Sequence, residues 1–372
     1  MLQVAEQRKL RTRPGQSTLV LGDITARAAA LPDFDRHEQI WLGRDEQRGL
    51  TAVVAIHSTA LGPALGGTRV WPHDSFDATL TDALRLSRGM TAKAAIAGLP
   101  LGGGKAVIMA DPKTQKTPAL LEAYAEMLTA LAGQYYTAED VGLTLADADF
   151  LSRRAPNVSG TSAGGSGNPS PFTALGVFLG LKAALRHRTG HDRLYGVKVA
   201  VQGLGSVGWS LCERLHAEGA MLTVADIDPA RSAKASASFG AAVGSPEAIV
   251  GADVDVFAPC ALGAVLSAET IPLLRAGIVA GAANNQLATA ADAVRLKDRG
   301  VLYAPDYVIN AGGLINVAAE LEPDGYDRGA VEKKVARIPA TLAAIFARAE
   351  AEGRTSDAVA WSMAMDAVNK PG

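Results

Sequence analysis

The chain has 372 residues, 48% hydrophobic and 20% charged, enough for two domains with sizeable cores. A formal net charge of -2 gives no electrostatic case for nucleic acid or an anionic membrane surface. Two cysteines, Cys212 and Cys260, are too few for a disulfide framework and point to the cytoplasm, and no uncharged apolar run is long enough to span a bilayer.

Residues 1–30 read as an extra N-terminal tail; Arg8, Lys9, Arg11 and Arg13 are not followed by the apolar stretch of a secretory signal. "LTAVVAIHS" (50–58) predicts a strand. "FDATLTDALRLSRGMTAKAAIAG" predicts a helix from about Phe76, with Leu80, Ala83, Leu84 and Ser87 on one face. "KAVIMA" predicts a second strand, stopped by Asp111-Pro112, and "TPALLEAYAEMLTALAG" a long amphipathic helix. The Gly/Ser/Pro-rich segment 159–171 marks a domain boundary. A helix, "FTALGVFLGLKAALRHR", follows it. Strands and helices then alternate through "GVKVAVQGLGSVGWSLCERLHAEGAMLTVADIDP", "VDVFAPCAL", "AGIVAGAAN" and "GVLYAPDYVIN", which argues a parallel sheet covered on both faces. From about Val331 only helices are expected.

Gly203-Leu204-Gly205-Ser206-Val207-Gly208 matches GxGxxG between a strand and a helix, and the next strand ends in Asp226. Gly203 allows the tight turn, Gly205 lets backbone approach a pyrophosphate, and Gly208 lets helix and strand pack closely. The first N–H groups of the helix would face the phosphates. An acid at 226 accepts from a ribose hydroxyl and repels a 2′-phosphate, so NAD is expected over NADP.

"AGLPLGGGKAVIMADP" (97–112) looks at first like a phosphate loop, but Gly98 and Gly104 are one residue too far apart and Ala106 stands where a hydroxyl is needed. Lys105 therefore needs another role. Behind three glycines and before an apolar strand, its amine is expected in a desolvated cleft, which favours the neutral form and makes it available as a base. The glycines read as clearance for substrate and cofactor. Lys93 and Asp140 ("YYTAEDVG") complete the constellation.

These residues, with "GPALGGTRVW", "RLSRGMTAKAAIAGLPLGGGKAVI", "SGNPSPFTALGV", "VQGLGSVG", "FAPCALGA", "GAANNQL" and "LYAPDYVINAGGLINVAAEL", resemble the leucine, valine and phenylalanine dehydrogenases of the glutamate dehydrogenase superfamily. The resemblance runs from about Pro32 to about residue 350. It implies an α/β fold of two domains: an N-terminal α/β substrate and oligomerisation domain (31–160 plus about 331–372, the C-terminal helices returning to it) and a Rossmann-type doubly wound NAD domain (161–330). It implies a homo-oligomer and reversible oxidative deamination of a small-molecule L-amino acid to the 2-oxo acid and ammonia. Lys93 would bind the substrate carboxylate, Lys105 would be the base that activates water, and Asp140 would shuttle the proton at nitrogen. Thr173 would hold the nicotinamide amide, Asn284 would lie near the nicotinamide ribose, and Asn285 would touch the substrate carboxylate. Closure about 159–171 would expel water.

The same resemblance lines the substrate pocket with Leu65, Gly66, Ala138, Leu314 and Val317. Glutamate-specific relatives carry lysine where Leu65 stands, so an apolar substrate is implied, with leucine, isoleucine and valine foremost. Ala92 replaces a tyrosine usual in branched-chain members, which keeps phenylalanine or another bulky aromatic in play. The C-terminus "AWSMAMDAVNKPG" also departs from the family pattern. Cys260, His57 and His73 read as structural, with no metal spacing, and Ser206 and Ser210 lie in no GxSxG elbow. A non-catalytic protein binding NAD or an amino acid is the alternative of another class.

Overall fold

The computed structural model describes residues 7–8, 18–162, 166–261 and 263–370. Lys9, Arg11 and Arg13 of the basic segment and residues 163–165 of the expected boundary lie outside these. The chain divides into a first unit of Met1–Asn168, Val317–Tyr326 and Ala364–Gly372, and a second of Pro169–Asn316 and Asp327–Met363. No helix among the described residues is long and apolar enough to cross a membrane.

The first unit is built on a mixed sheet. Its strands are β1 (Gln7–Arg8), β2 (Val20–Asp23), β3 (Gln39–Asp45), β4 (Leu50–Ser58), β5 (Ala64–Leu65), β6 (Thr68–Trp71), β7 (Gly102–Met109) and β8 (Tyr135–Tyr136). The order is β1-β2-β3-β4-β7-β5-β8, with β6 also paired to β7. Pairing is antiparallel from β1 to β4 and between β4 and β7. β5 and β6 run parallel to β7, and β5 parallel to β8. Among the described residues, α1 (Thr25–Ala28), α2 (Phe76–Ile96), α3 (Pro118–Ala130) and α4 (Leu145–Ser152) lie wholly in this unit.

Both faces of the sheet are covered. On one, Leu80, Ala83 and Leu84 of α2 meet Val53, Ala55 and Val107. On the other, Leu120, Tyr124, Met127 and Leu128 of α3 meet Val54, Ile56 and Ile108. Double coverage explains why β4 reads as an apolar run without alternation. Ser75 caps α2 by accepting from the Ala78 N–H, and Thr117 caps α3 ahead of Pro118.

Two expectations change here. The described part of residues 1–30 is not a tail: β2 is a strand of the sheet, and Leu19, Leu21, Ile24 and Ala28 are buried against it. The expected strand "KAVIMA" begins earlier, at Gly102, because all three glycines take strand conformation and pair with β4 or β5.

The second unit contains α5 (Ser170–Thr189), β9 (Lys198–Gln202), α6 (Ser206–Ala217), β10 (Met221–Ala225), α7 (Pro229–Phe239), β11 (Ala242–Val243), β12 (Val256–Pro259), β13 (Ile278–Val279), α8 (Ala290–Asp298), β14 (Leu302–Tyr303) and α9 (Asp306–Ile309). The first parts of α10 (Gly312–Ala318) and α13 (Ser356–Val368), with all of α11 (Arg328–Val335) and α12 (Ile338–Glu352), complete it. Its strands are all parallel, in the order β11-β10-β9-β12-β13-β14. The order reverses beside β9, so β9 and β12 flank the switch point where a doubly wound sheet opens a crevice. Within "GVLYAPDYVIN" the expected alternation continues, β14 being followed by α9 after Pro305.

The C-terminal helices also depart from expectation. α12 packs on α5, where Gly176 and Gly180 leave room for Ile338, Ile309 and Leu342. That burial groups Asp327–Met363 with the second unit, and of residues 331–372 only Ala364–Gly372 go with the first.

Candidate active site

Lys105 lies inside β7 opposite Ala55 of β4. Strand alternation turns Gly103, Lys105 and Val107 to the face covered by α2. The expected clearance for substrate and cofactor at the glycines is instead filled by protein. A side chain at Gly102 would strike the Ser58 carbonyl, one at Gly103 the backbone of Thr91 on α2, and one at Gly104 the Tyr135 ring at 2.7 Å. The glycines bring strand and helix backbones together around Lys105, which is itself 5% exposed.

Burial of an ammonium requires a partner. Lys105 Nζ has one in Asp140 Oδ2 at 2.8 Å. The same oxygen accepts from Arg69 Nε of β6 at 3.3 Å. Burial alone would raise Asp140, but Lys105, then Arg69, and the Val141 N–H outweigh it and hold the carboxyl below its ordinary range. Neighbouring Glu139 is raised by burial and by the charge of Asp140. Arg69 reaches on to α2, where its Nη1 lies 3.1 Å from both oxygens of Asp82. His73 Nε2 contacts Asp82 Oδ2 at 3.2 Å.

A buried hydroxyl cluster supports this stretch from the α3 side. Thr68 meets Tyr124 at 2.5 Å and Thr137 at 2.6 Å, and the Tyr135 hydroxyl donates to the Gly66 carbonyl. Burial raises both tyrosines, so they serve as neutral hydrogen-bonding groups. The cluster pins Gly66–Thr68 and so positions Leu65 on one side and Arg69 on the other.

Lys93 is half-buried on α2, two residues beyond the Thr91 that meets Gly103. Leu65 is 1% exposed, and Gly66 is packed on the Gly104 carbonyl. Ala138 and Val317 come together beside Gly160, 3.6 Å and 3.8 Å from the position its side chain would take. Leu314 is half-buried on α10. Ala92 is fully buried on α2.

In the second unit the glycine turn connects β9 to α6. Gly203 has φ 94°, and its carbonyl occupies the place of a side chain on Gly208. A side chain on Gly205 would meet nothing within 4 Å, and α6 begins there without a side-chain cap. Ser206 and Val207 open its first turn. A tight turn, an open approach and uncapped N–H groups fit a dinucleotide pyrophosphate. Asp226 follows β10, where Oδ2 accepts from the Leu204 N–H at 2.6 Å and Oδ1 from the Asp228 N–H at 2.9 Å. The acid thus ties the end of β10 to the turn.

Asn284 and Asn285 are exposed in the loop after β13, and Asn285 is left-handed at φ 51°. Asn284 Oδ1 accepts from Asn310 Nδ2 at 2.8 Å. Thr173 Oγ1 donates to the Pro169 carbonyl at 3.2 Å, and Gly313 leaves room for that hydroxyl. Burial pushes the Cys260 thiol up to about 12 and Cys212 higher still, so both are unreactive packing groups.

Arg69, Asp82 and Asn310 are given no role by the sequence, although Arg69 and Asn310 lie in the motifs that carry the resemblance, and His73 reads there as structural. Glu320 is another such residue: it accepts from the Gly160 N–H at 3.0 Å and the Ser166 N–H at 2.6 Å. A charged residue in a short strand or a helix end is indistinguishable in sequence from a solvated one.

One unit is built as a dinucleotide fold and the other around a buried acid–base pair, the combination of a dehydrogenase. Family models agree: the Glu/Leu/Phe/Val dehydrogenase dimerisation domain matches residues 37–156, and the Glutamate/Leucine/Phenylalanine/Valine dehydrogenase model matches 228–369. Leucine dehydrogenase of Geobacillus stearothermophilus is 49% identical over 84% of this chain and 86% of its own. L-tryptophan dehydrogenase of Nostoc punctiforme is 49% identical over 90% of this chain and 94% of its own. Its crystal structure aligns with TM-score 0.80 and 47% identity, covering 90% and 96% of the two chains. A hetero-hexameric glutamate dehydrogenase from Thermus thermophilus in its Leu-bound form aligns at TM-score 0.71 and 27% identity, covering 86% and 83%. The chain belongs to the Glu/Leu/Phe/Val dehydrogenase family and is an amino-acid dehydrogenase.

Proposed function

We propose that the chain catalyses reversible oxidative deamination of an apolar L-amino acid, leucine, isoleucine or valine foremost, with NAD and water, giving the 2-oxo acid, ammonia and NADH. The observation that carries this is the 2.8 Å contact between buried Lys105 and Asp140. A lysine kept from water beside an ionised carboxylate is suited to exchange protons, and a surface lysine is not. Lys105 Nζ, once it has given up its own proton, takes the proton from the water that adds to the α-carbon of the imino acid. Asp140 carries the proton to and from the nitrogen. Lys93 pairs the α-carboxylate, joined by Asn285. Bound NAD supplies the hydride acceptor; Gly203, Gly205, Ser206, Val207, Gly208 and Asp226 would hold it, with Thr173 and Asn284 toward the nicotinamide. Asp226 favours NAD over NADP because its negative charge repels a 2′-phosphate.

Leu65, Ala138, Leu314 and Val317 carry apolar side chains and Gly66 carries none, so none of them could pair a glutamate side-chain carboxylate. An aromatic substrate is the second reading, favoured by the 49% identity to a tryptophan dehydrogenase. The match to a dimerisation-domain model supports a homo-oligomer, and the two free cysteines support a cytoplasmic protein. The test is NADH formation at alkaline pH with leucine, isoleucine, valine, phenylalanine, tryptophan and glutamate, alongside Lys105→Ala. Branched-chain turnover lost in the variant is the expected result. Preference for tryptophan or phenylalanine establishes the second reading, and no turnover with any of them overturns the proposal.

A further inference from the structure

Asp140 is held by two cations, and only Lys105 has so far been given a role. We propose that Arg69 is the positioning residue of the proton-transfer pair: it fixes the Asp140 carboxylate against Lys105 and is itself fixed by Asp82. The inference rests on the role assigned to Asp140 above.

The geometry is that of a clamp. Arg69 Nε donates to Asp140 Oδ2 at 3.3 Å, the oxygen that Lys105 Nζ meets at 2.8 Å. At its far end Nη1 lies 3.1 Å from both oxygens of Asp82 on α2. Asp82 Oδ2 is in turn met by His73 Nε2 at 3.2 Å. One guanidinium therefore joins β6, α2 and the segment carrying Asp140. The side chains of Arg69, Asp82 and Asp140 are 24%, 19% and 23% exposed, so the clamp is shielded in a way that surface pairs are not. Only arginine has donors at both ends of a rigid plane; lysine would supply the charge at a single point.

The charged groups facing Asp140 are Lys105 from β7, Arg69 from β6 and Glu139 from its own segment. Those facing Arg69 from α2 are Asp82, with Arg85 and His73 beside that carboxylate. Both cations favour the ionised form of Asp140 against its burial. Loss of the Arg69 charge removes one positive charge from beside the Lys105–Asp140 pair, so the pair takes up its proton at higher pH and the acid limb of kcat/KM moves to higher pH.

The experiment compares the full chain with R69Q, R69K, D82N and D140N, using whichever amino acid turns over fastest, and measures kcat, KM, the pH profile of kcat/KM and thermal unfolding. R69Q is expected to lower kcat by about 10–100-fold, as misplacement of a reacting group does, with KM for the amino acid little changed and the acid limb moved up. R69K should return the limb toward its parent position without restoring kcat. D82N keeps the arginine charge and should lower kcat with the limb unmoved; it decides the matter if R69Q does not fold. Parent kcat and limb in D82N and R69Q, with D140N inactive, overturn the role of Arg69. Full turnover in D140N instead overturns the assignment of Asp140 on which the inference stands.

Discussion

Substituting Gly103 by alanine would set a methyl 2.5 Å from the Cα of Thr91 and closer still to its nitrogen and hydroxyl. Carbon atoms at rest lie about 3.5–4 Å apart, so β7 and α2 would have to separate by about 1 Å. Neither can yield easily. β7 is hydrogen-bonded to β4, β5 and β6, and α2 buries Leu80, Ala83 and Leu84 on the same sheet. An extra methyl in a well-packed core costs about 1–3 kcal/mol, and with backbone on both sides the upper end applies. At about 2–4 °C per kcal/mol for units of this size, the melting temperature should fall by about 6–12 °C. Gly89→Ala is the control: it lies in the same helix with nothing within 4 Å of the new methyl, and should gain about 0.5–1 kcal/mol. Thermal unfolding and amino-acid KM would be measured on both variants. A Gly103→Ala protein with parent stability and a raised KM would refute the packing account and return the glycine to substrate clearance.

Two further outcomes are expected. His57 stacks edge-on to His37 at 4.8 Å, and burial, then the charge of His37, pushes it down to about 4. The folded protein thus binds fewer protons there than the unfolded chain, so stability present above about pH 6.5 is lost as pH falls toward 4, by roughly 3 kcal/mol for this group. Urea midpoints should drop across that window, and His57→Asn should flatten the drop; an unchanged slope would refute the account. Asp226→Ser removes the charge that would repel a 2′-phosphate and should lower the NAD/NADP ratio of kcat/KM by about tenfold or more. Because Asp226 also ties β10 to the turn through the Leu204 N–H, equal loss with both cofactors would assign it to the turn alone.

Much of the second unit was legible in the chain. The glycine turn, the strands around it and Asp226 follow from local rules: one period per strand, one per helix, glycine where φ is positive or backbones touch. β4 and the start of α2 follow in the same way, because an apolar run and a serine cap act over a few residues. The roles proposed for Lys93 and Asp140 came from resemblance, since such residues have many local readings, whereas a base role for Lys105 was also suggested by its place between three glycines and an apolar strand.

What the chain could not disclose depends on residues far apart in it. Arg69 meets Asp140 and Asp82 only after β6 has paired with β7 and α2 has crossed their sheet. The purpose of Gly102–Gly104 is decided by Ser58, Thr91 and Tyr135, which pack where side chains would stand. The allegiance of residues 327–363 is decided by the fit of α12 on α5. Sequence determines which residues can tolerate burial, closeness or charge, because those properties are local. Tertiary structure decides which groups share a buried space, because desolvation and pairing act through space and not along the chain.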